Sequence, residues 1–352
     1  MPKAKVVIFA AADTASHEDL RAAGCELVLG RASYEDPTGD PEDKLIAMAA
    51  HADALVGTSI KAARISRDVM MVSENLRIIA KYTVGVDEVD VRAATELGIV
   101  VTHAPTEANW GGVAESTVTV MLAMLKKVRQ RDVFVKAGRG WRHESLLGTY
   151  VGPREDGYAG ITIGIIGLGR IGARFAKLMR PWDMRMIAYD PYVPAERFAE
   201  LGVERVGLDT LLRESDVVSL HVVLTDETHH MIGARELALM KPSAVLINNS
   251  RGPVIDESAL IEALEHERIA GAALDVLEKE PVSTDNPLLR MDDRVLITPH
   301  MAAGHHGAGL APGIVWGTRD VFHALRGEVP EHVFNPDGLP RWRERFEGRS
   351  LL

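Results

Sequence analysis

A single cysteine, Cys25, stands among 352 residues, so no disulfide can close within the chain and the fold needs no oxidising compartment. No apolar run approaches the ~20 residues that cross a bilayer. Met1 to Ala12 lack the long apolar stretch and the cleavage site of a signal peptide. These absences set the expectation of a cytoplasmic protein with no membrane partner. Cations are outnumbered: 40 Lys and Arg stand against 50 Asp and Glu, a formal net charge of −10 at pH 7. That sign favours solubility and argues against nucleic acid or an anionic membrane as a partner, while leaving room for a local basic pocket that takes a small anion. Low-complexity tracts and a solenoid period are also missing. What is present is the composition of a globular protein, 46% hydrophobic and 26% charged. At roughly 150 residues per domain, the length predicts two domains, each with its own core.

The first hundred residues alternate short apolar runs with helix-like stretches. The runs are Val6 to Ala10, Glu26 to Leu29, Ala54 to Gly57, Arg77 to Lys81 and Ile99 to Thr102. Strands that alternate with amphipathic helices imply a parallel sheet covered on both faces, because each crossover must pass over the sheet. A first α/β unit therefore ends near His103. From Asn109 to Lys136, Val113, Val118, Met121, Leu122, Leu125 and Val128 recur at helical spacing with no proline between them, which predicts one long helix. Its apolar stripe fits a core or a dimer interface better than a membrane face, because Lys126, Lys127, Arg129 and Arg131 gather only at its end. A homodimer is the expectation. Gly138, Gly140, Gly148, Gly152, Gly157 and Gly160, with Pro153, then mark a long loop.

At Ile161 the βα rhythm restarts. Strands are predicted at Ile161 to Ile166, Met184 to Tyr189, Val217 to His221, Ala244 to Asn248, Ala270 to Asp275 and Val295 to Thr298. Beyond Pro299 come a glycine-rich stretch, a helix from about Ile314 to Leu325, and a polar tail containing Pro330, Pro336 and Pro340 that could return to the first domain.

Gly167, Gly169 and Gly172 form Gly-Leu-Gly-Arg-Ile-Gly directly after an apolar strand and before a helix-like run. In this context the first glycine permits a tight turn, the second lets the backbone approach a pyrophosphate, and the third lets helix and strand pack closely. A second strand ends in Asp190, eighteen residues past Gly172, where a carboxylate can accept from ribose hydroxyls. The combination points to NAD. A carboxylate there repels a 2′-phosphate, and Pro191 and Tyr192, which follow it, offer no cation, so NADP is disfavoured.

Three polar groups follow predicted strands in the second half: Arg251, Glu280 and His300. Carboxyl ends of parallel strands are where such folds bind ligands. An arginine fork can hold a carboxylate and polarise a neighbouring carbonyl. A histidine can exchange a proton near neutral pH, and a carboxylate can fix its tautomer and favour its protonated form. Those are the parts that hydride transfer to a 2-oxo acid requires. The pairs His229-His230 and His305-His306 do not make a metal site, since adjacent side chains rarely face one ion and no HExxH or cysteine cluster accompanies them.

These segments, Gly-Leu-Gly-Arg-Ile-Gly, Tyr-Asp-Pro, Asn-Ser-Arg-Gly-Pro-Val-Ile-Asp, Ala-Ala-Leu-Asp-Val-Leu-Glu-Lys-Glu-Pro and Thr-Pro-His, stand in the order and spacing of the D-isomer-specific 2-hydroxyacid dehydrogenases. The chain resembles that family from about Lys5 to Pro336. The resemblance implies two Rossmann-like or flavodoxin-like parallel-sheet domains, an NAD-binding one at 105–308 inserted into a split substrate domain at 1–104 and 309–352. It implies reversible, NAD-dependent reduction of a small anionic 2-oxo acid to a D-2-hydroxy acid. Arg251 would bind the substrate, His300 would act as acid and base, and Glu280 would orient His300. Cofactor contacts would come from Gly167, Gly169, Arg170, Ile171, Gly172, Asp190, His221, Val222, Val223, Thr228, Asn249, Ser250, Arg251, Asp275, His300 and Ala302. Asp275 would lie near the nicotinamide carboxamide. Val84 and Gly85 would offer backbone amides to the substrate carboxylate, and Asn109 matches a further substrate position.

The sequence also departs from the family. Thr83 stands where many relatives have glycine, Ser116 replaces a common histidine and Val223 a common proline. The segment Trp141 to Tyr158 is long, and Leu339 to Leu352 has no obvious counterpart. Two other readings stay open at this point: a relative acting on another small anion, of phosphite or phosphoglycerate type, and a dinucleotide-sensing module of the corepressor kind.

Overall fold

The computed structural model describes residues 4–10, 17–31, 39–58, 64–305 and 310–352. They form two compact units, Met1–Asn109 with Gly304–Leu352, and Trp110–Ala303.

Among the described residues, the first unit carries strands β1 (Lys5–Phe9), β2 (Glu26–Leu29), β3 (Ala54–Gly57), β4 (Ile78–Lys81) and β5 (Val100–Thr102). Between them lie helices α1 (Glu18–Ala22), α2 (Glu42–Ala49), α3 (Arg67–Met71) and α4 (Val91–Leu97). The strands are all parallel, in the order β2-β1-β3-β4-β5. Every residue of β3, β4 and β5 is buried, as a sheet covered on both faces requires. Alternate side chains feed two separate cores: Val7, Leu55, Ile79 and Val101 enter one, Val6, Val56, Ile78 and Val100 the other.

Helix α5 (Glu107–Leu125) leads into the second unit and is followed by α6 (Val128–Lys136). The single helix expected from 109 to 136 is thus two, broken at Lys127, whose φ of 51° is left-handed. Neither glycine nor proline marks the break. It is held instead by tertiary bonds, since Lys126 Nζ donates to Thr149 O and Lys127 Nζ to Ser145 O, both at 2.7 Å. Helix α5 buries Val113, Val120, Met121 and Leu125, whereas α6 buries nothing. The glycine-rich stretch that follows is loop, apart from one 3-10 turn at Glu144–Leu146.

Seven parallel strands then make one sheet: β6 (Thr162–Ile166), β7 (Arg185–Tyr189), β8 (Glu204–Arg205), β9 (Val217–Leu220), β10 (Val245–Asn248), β11 (Gly271–Leu274) and β12 (Val295–Ile297). The intervening helices are α7 (Arg170–Met179), α8 (Ala195–Leu201), α9 (Leu208–Glu214), α10 (Ala234–Leu239) and α11 (Glu257–Glu265). Strand order is β12-β11-β10-β9-β6-β7-β8, so the chain runs outward in one direction from β6 and in the other from β9. In doubly wound sheets, ligands bind at the carboxyl ends beside that reversal.

The chain closes with α12 (Ala311–Arg326) and α13 (Leu339–Phe346), which belong to the first unit. What reads in sequence as a polar tail carries α13, which buries Trp342 and Phe346 in the same core as Val6 and Ile78. Trp342 Nε1 donates to Arg77 O at 2.9 Å. The i, i+4 aromatic pair was hidden in sequence by the arginines around it.

Candidate active site

The glycine loop shows why each position takes its residue. Gly167 has φ +89°, and a Cβ there would lie 2.6 Å from His221 O. At Gly172 a Cβ would lie 2.1 Å from Gly167 O, so helix and strand could not close. A Cβ on Gly169, by contrast, would meet nothing within 4 Å. Gly169 therefore borders open space, and the N-terminus of α7 that follows has no side-chain cap. Uncapped N–H groups beside open space form a cradle for an anion such as a pyrophosphate. Arg170 is exposed and Ile171 half-buried at its edge.

Asp190 follows β7 and ties three segments together. Its Oδ2 accepts from Leu168 N–H at 2.8 Å, and its Oδ1 from Tyr192 N–H at 2.9 Å and Val193 N–H at 3.2 Å. Oδ2 keeps capacity for a further donor, as a ribose hydroxyl would supply. The residues expected from the family resemblance continue after β9. His221 is half-buried, its ring 5.4 Å from the Phe175 ring and its Nε2 3.0 Å from Ser219 Oγ, with Nδ1 buried and unpartnered. Burial pushes its pKa down to about 3. Its own main-chain N–H donates to Ile166 O at 2.7 Å. Val222 is half-buried and Val223 exposed. The Thr228 hydroxyl closes its own turn, donating to Val223 O at 2.6 Å and accepting from Thr225 N–H at 2.8 Å. The Tyr192 hydroxyl donates to Glu227, and that bond pushes the phenol pKa up.

The catalytic candidates stand past the ends of three adjacent strands, β10, β11 and β12. Asn248, the last residue of β10, shapes the first turn. Its Oδ1 accepts from the Ser250 N–H at 3.0 Å and the Ser250 hydroxyl at 2.7 Å, and its Nδ2 donates to Arg251 O at 2.9 Å. Arg251 Nη1 donates to Ser250 O at 2.8 Å. A Cβ on Gly252 would lie 1.9 Å from Leu277 O, so only glycine lets this turn lie against the segment after β11. Glu280 accepts from Leu277 N–H at 2.9 Å through Oε1, while Oε2 lies 2.8 Å from His300 Nδ1. Glu280 is 15% exposed and His300 38% exposed. With Nδ1 on a carboxylate, the imidazole keeps Nε2 for another partner.

His300 sits at φ +54°, and its N–H donates to Asp275 O at 2.8 Å. The Asp275 carboxylate is buried; it accepts from the Thr298 hydroxyl, from Met301 N–H at 3.0 Å and from Ala302 N–H at 2.9 Å. It builds the His300 loop. Ser116 Oγ donates to Ala302 O at 2.7 Å, and Asn249 Nδ2 to Thr117 Oγ1 at 3.1 Å, so α5 holds two of these turns. Sequence reading did not single out Asn248, Thr298 or Thr117. The signal available was a polar residue at the end of an apolar strand, which marks Asn248 and Thr298. Val84, Gly85 and Asn109 belong to the first unit. Val84 and Gly85 lie between β4 and α4, where Val84 O is 3.2 Å from His103 Nδ1; Asn109 is in the first turn of α5.

Residues 118–302 match the family described as D-isomer specific 2-hydroxyacid dehydrogenase, NAD binding domain. The chain belongs to the D-isomer specific 2-hydroxyacid dehydrogenase family. It is 38% identical over 317 residues to a glyoxylate reductase from Thermococcus litoralis, covering 87% of this chain and 90% of that one. It is 40% identical over 308 residues to a D-3-phosphoglycerate dehydrogenase from Methanocaldococcus jannaschii, which covers 87% of this chain. The chain spans only 56% of that enzyme's length, and 55% of its Archaeoglobus fulgidus counterpart. The crystal structure of a D-lactate dehydrogenase from Aquifex aeolicus, complexed with NAD and lactic acid, matches with a TM-score of 0.79 at 27% identity over 94% of this chain and 99% of that one. The region matching the NAD binding domain holds the glycine loop, Asp190 and all three catalytic candidates. The open space at Gly169, the uncapped α7 and the spare capacity of Asp190 fit a nicotinamide dinucleotide.

Proposed function

We propose that the protein is an NAD-dependent 2-oxoacid reductase that yields a D-2-hydroxy acid and runs reversibly. The observation that carries this is the Glu280–His300 pair at 2.8 Å, set with Arg251 along one strand edge of the sheet that bears the glycine loop. Arg251 binds the substrate carboxylate and polarises its carbonyl. When bound, the reduced nicotinamide supplies the hydride that the carbonyl carbon accepts. Protonated His300 delivers its Nε2 proton to the carbonyl oxygen, and Glu280 holds the ring. From the first unit, the Val84 and Gly85 amides and Asn109 are assigned to substrate binding. Asp190, negative and already tied to the loop, favours NAD over NADP. The cofactor domain is assigned to 105–308, which is the compact unit Trp110–Ala303 extended by five residues at each end, and the rest to the substrate.

The substrate class is small 2-oxo acids, supported by the similarity to glyoxylate reductases along nearly their full length. Phosphoglycerate oxidation is a second reading, supported by 40% identity to enzymes of that name. Consumption of NADH with glyoxylate, hydroxypyruvate, pyruvate, 2-oxoisocaproate and phenylpyruvate, and formation of NADH with 3-phosphoglycerate, separate the two. Tight NADH binding with no turnover on any of them would instead favour a dinucleotide sensor.

A cytoplasmic homodimer completes the reading. No helix among the described residues is long and apolar enough to cross a membrane. Helix α6 and the loop after it expose Val128, Val133, Val135, Trp141 and Leu147, an apolar surface that a second copy would cover. Light scattering should give twice the chain mass, and Val133→Asp with Trp141→Glu should halve it. A wild-type monomer at micromolar concentration would remove the dimer.

A further inference from the structure

Strands β7 and β9 are not neighbours, because β6 lies between them. Tyr192 stands three residues past the end of β7 and Glu227 seven past the end of β9, yet the Tyr192 hydroxyl donates to Glu227. A bond between those two loops has to pass over the carboxyl end of β6, where the glycine loop begins. Burial does not bring the pair together, since Tyr192 is 76% exposed and Glu227 is exposed as well. Both loops are fixed at their bases, one by the Asp190 carboxylate on Tyr192 N–H and Val193 N–H, the other by the Thr228 hydroxyl. The geometry is therefore built from both sides.

We propose that Glu227, held by the Tyr192 hydroxyl, is a specificity-determining residue of the nucleotide site: its carboxylate stands at the adenosine end of the glycine loop and selects against a 2′-phosphorylated dinucleotide. With Asp190 it gives that rim two carboxylates, and Asp226 adjoins it. A phosphate monoester carries a charge of about −1.5 to −2 near neutral pH, whereas a ribose hydroxyl carries none, so the repulsion falls on the phosphorylated ligand. Tyr192 acts through Glu227 as a positioning residue.

The inference rests on the nucleotide-binding reading of this domain. Calorimetric titration of the intact protein with ADP-ribose, 2′-phospho-ADP-ribose, NADH and NADPH tests both without using turnover. Glu227→Gln should tighten 2′-phospho-ADP-ribose and NADPH about tenfold, while ADP-ribose and NADH change less than about threefold. Tyr192→Phe should give a smaller gain of the same kind, about threefold, and the double variant no more than Glu227→Gln alone. An unchanged ratio between phosphorylated and unphosphorylated ligands in Glu227→Gln, or additive gains in the double variant, would overturn the proposal. Failure of the wild-type protein to bind either ADP-ribose or NADH would overturn the nucleotide reading, and the proposal with it.

Discussion

At the scale of single residues, two histidines in one sheet have opposite fates, and their surroundings decide which. His300 is part-exposed, with Nδ1 on Glu280. Replacing it by alanine should lower kcat by about 10² to 10⁴-fold and leave the NADH dissociation constant within twofold. Turnover that survives the change would remove His300 from the mechanism. His221 is the inward case, its folded pKa about 3 against an ordinary 6.5. As pH falls below 6.5 the unfolded chain takes up a proton that the folded chain refuses until about pH 3, so stability is lost across that window. At pH 5 the loss is about 2 kcal/mol. Denaturant unfolding at pH 7 and pH 5 should show that difference in the wild type and not in His221→Leu. Both histidines could be named as site residues from motif position, but a motif carries no information on ring surroundings, which pair one with a carboxylate and keep the other neutral.

At the scale of elements, the glycine loop separates what the fold needs from what a ligand needs. Gly172 is required for packing, since a Cβ would overlap Gly167 O, and Gly169 is not. Gly172→Ala should therefore lower the melting temperature by several degrees. Gly169→Ala should leave it within about 1 °C and raise the NADH dissociation constant about tenfold or more, because the added methyl fills the space a pyrophosphate would use. Equal losses of stability in the two variants would contradict the assignment. Fluorescence titration with thermal unfolding reads both. The loop, its strand and its helix are all legible in sequence because each is a local pattern of glycine and apolar residues. The break at Lys127 is not, because it is held by bonds from Lys127 to Ser145 and from Lys126 to Thr149, distant in sequence.

At the scale of the whole molecule, the first unit is closed by the end of the chain. Trp342 is fully buried against strands from the first hundred residues, and its Nε1 binds Arg77 O. Trp342→Ala should destabilise that unit by about 3–5 kcal/mol and leave the transition of the second unit in place, measured by urea unfolding with probes in each. A single unchanged transition would show that α13 contributes little. The sequence by itself determined the parallel α/β class, every strand but the two-residue β8, and the glycine loop, and it set Arg251, Glu280 and His300 after strands of one sheet, because strand burial and phosphate-binding turns leave short-range signatures. Tertiary structure alone decided that Asp275 builds the His300 loop, that α13 is core rather than tail, and that Tyr192 reaches Glu227 across β6. Those facts depend on strand order and on hydrogen bonds between segments far apart in the chain, and no local pattern of residues encodes which distant groups a sheet will bring together.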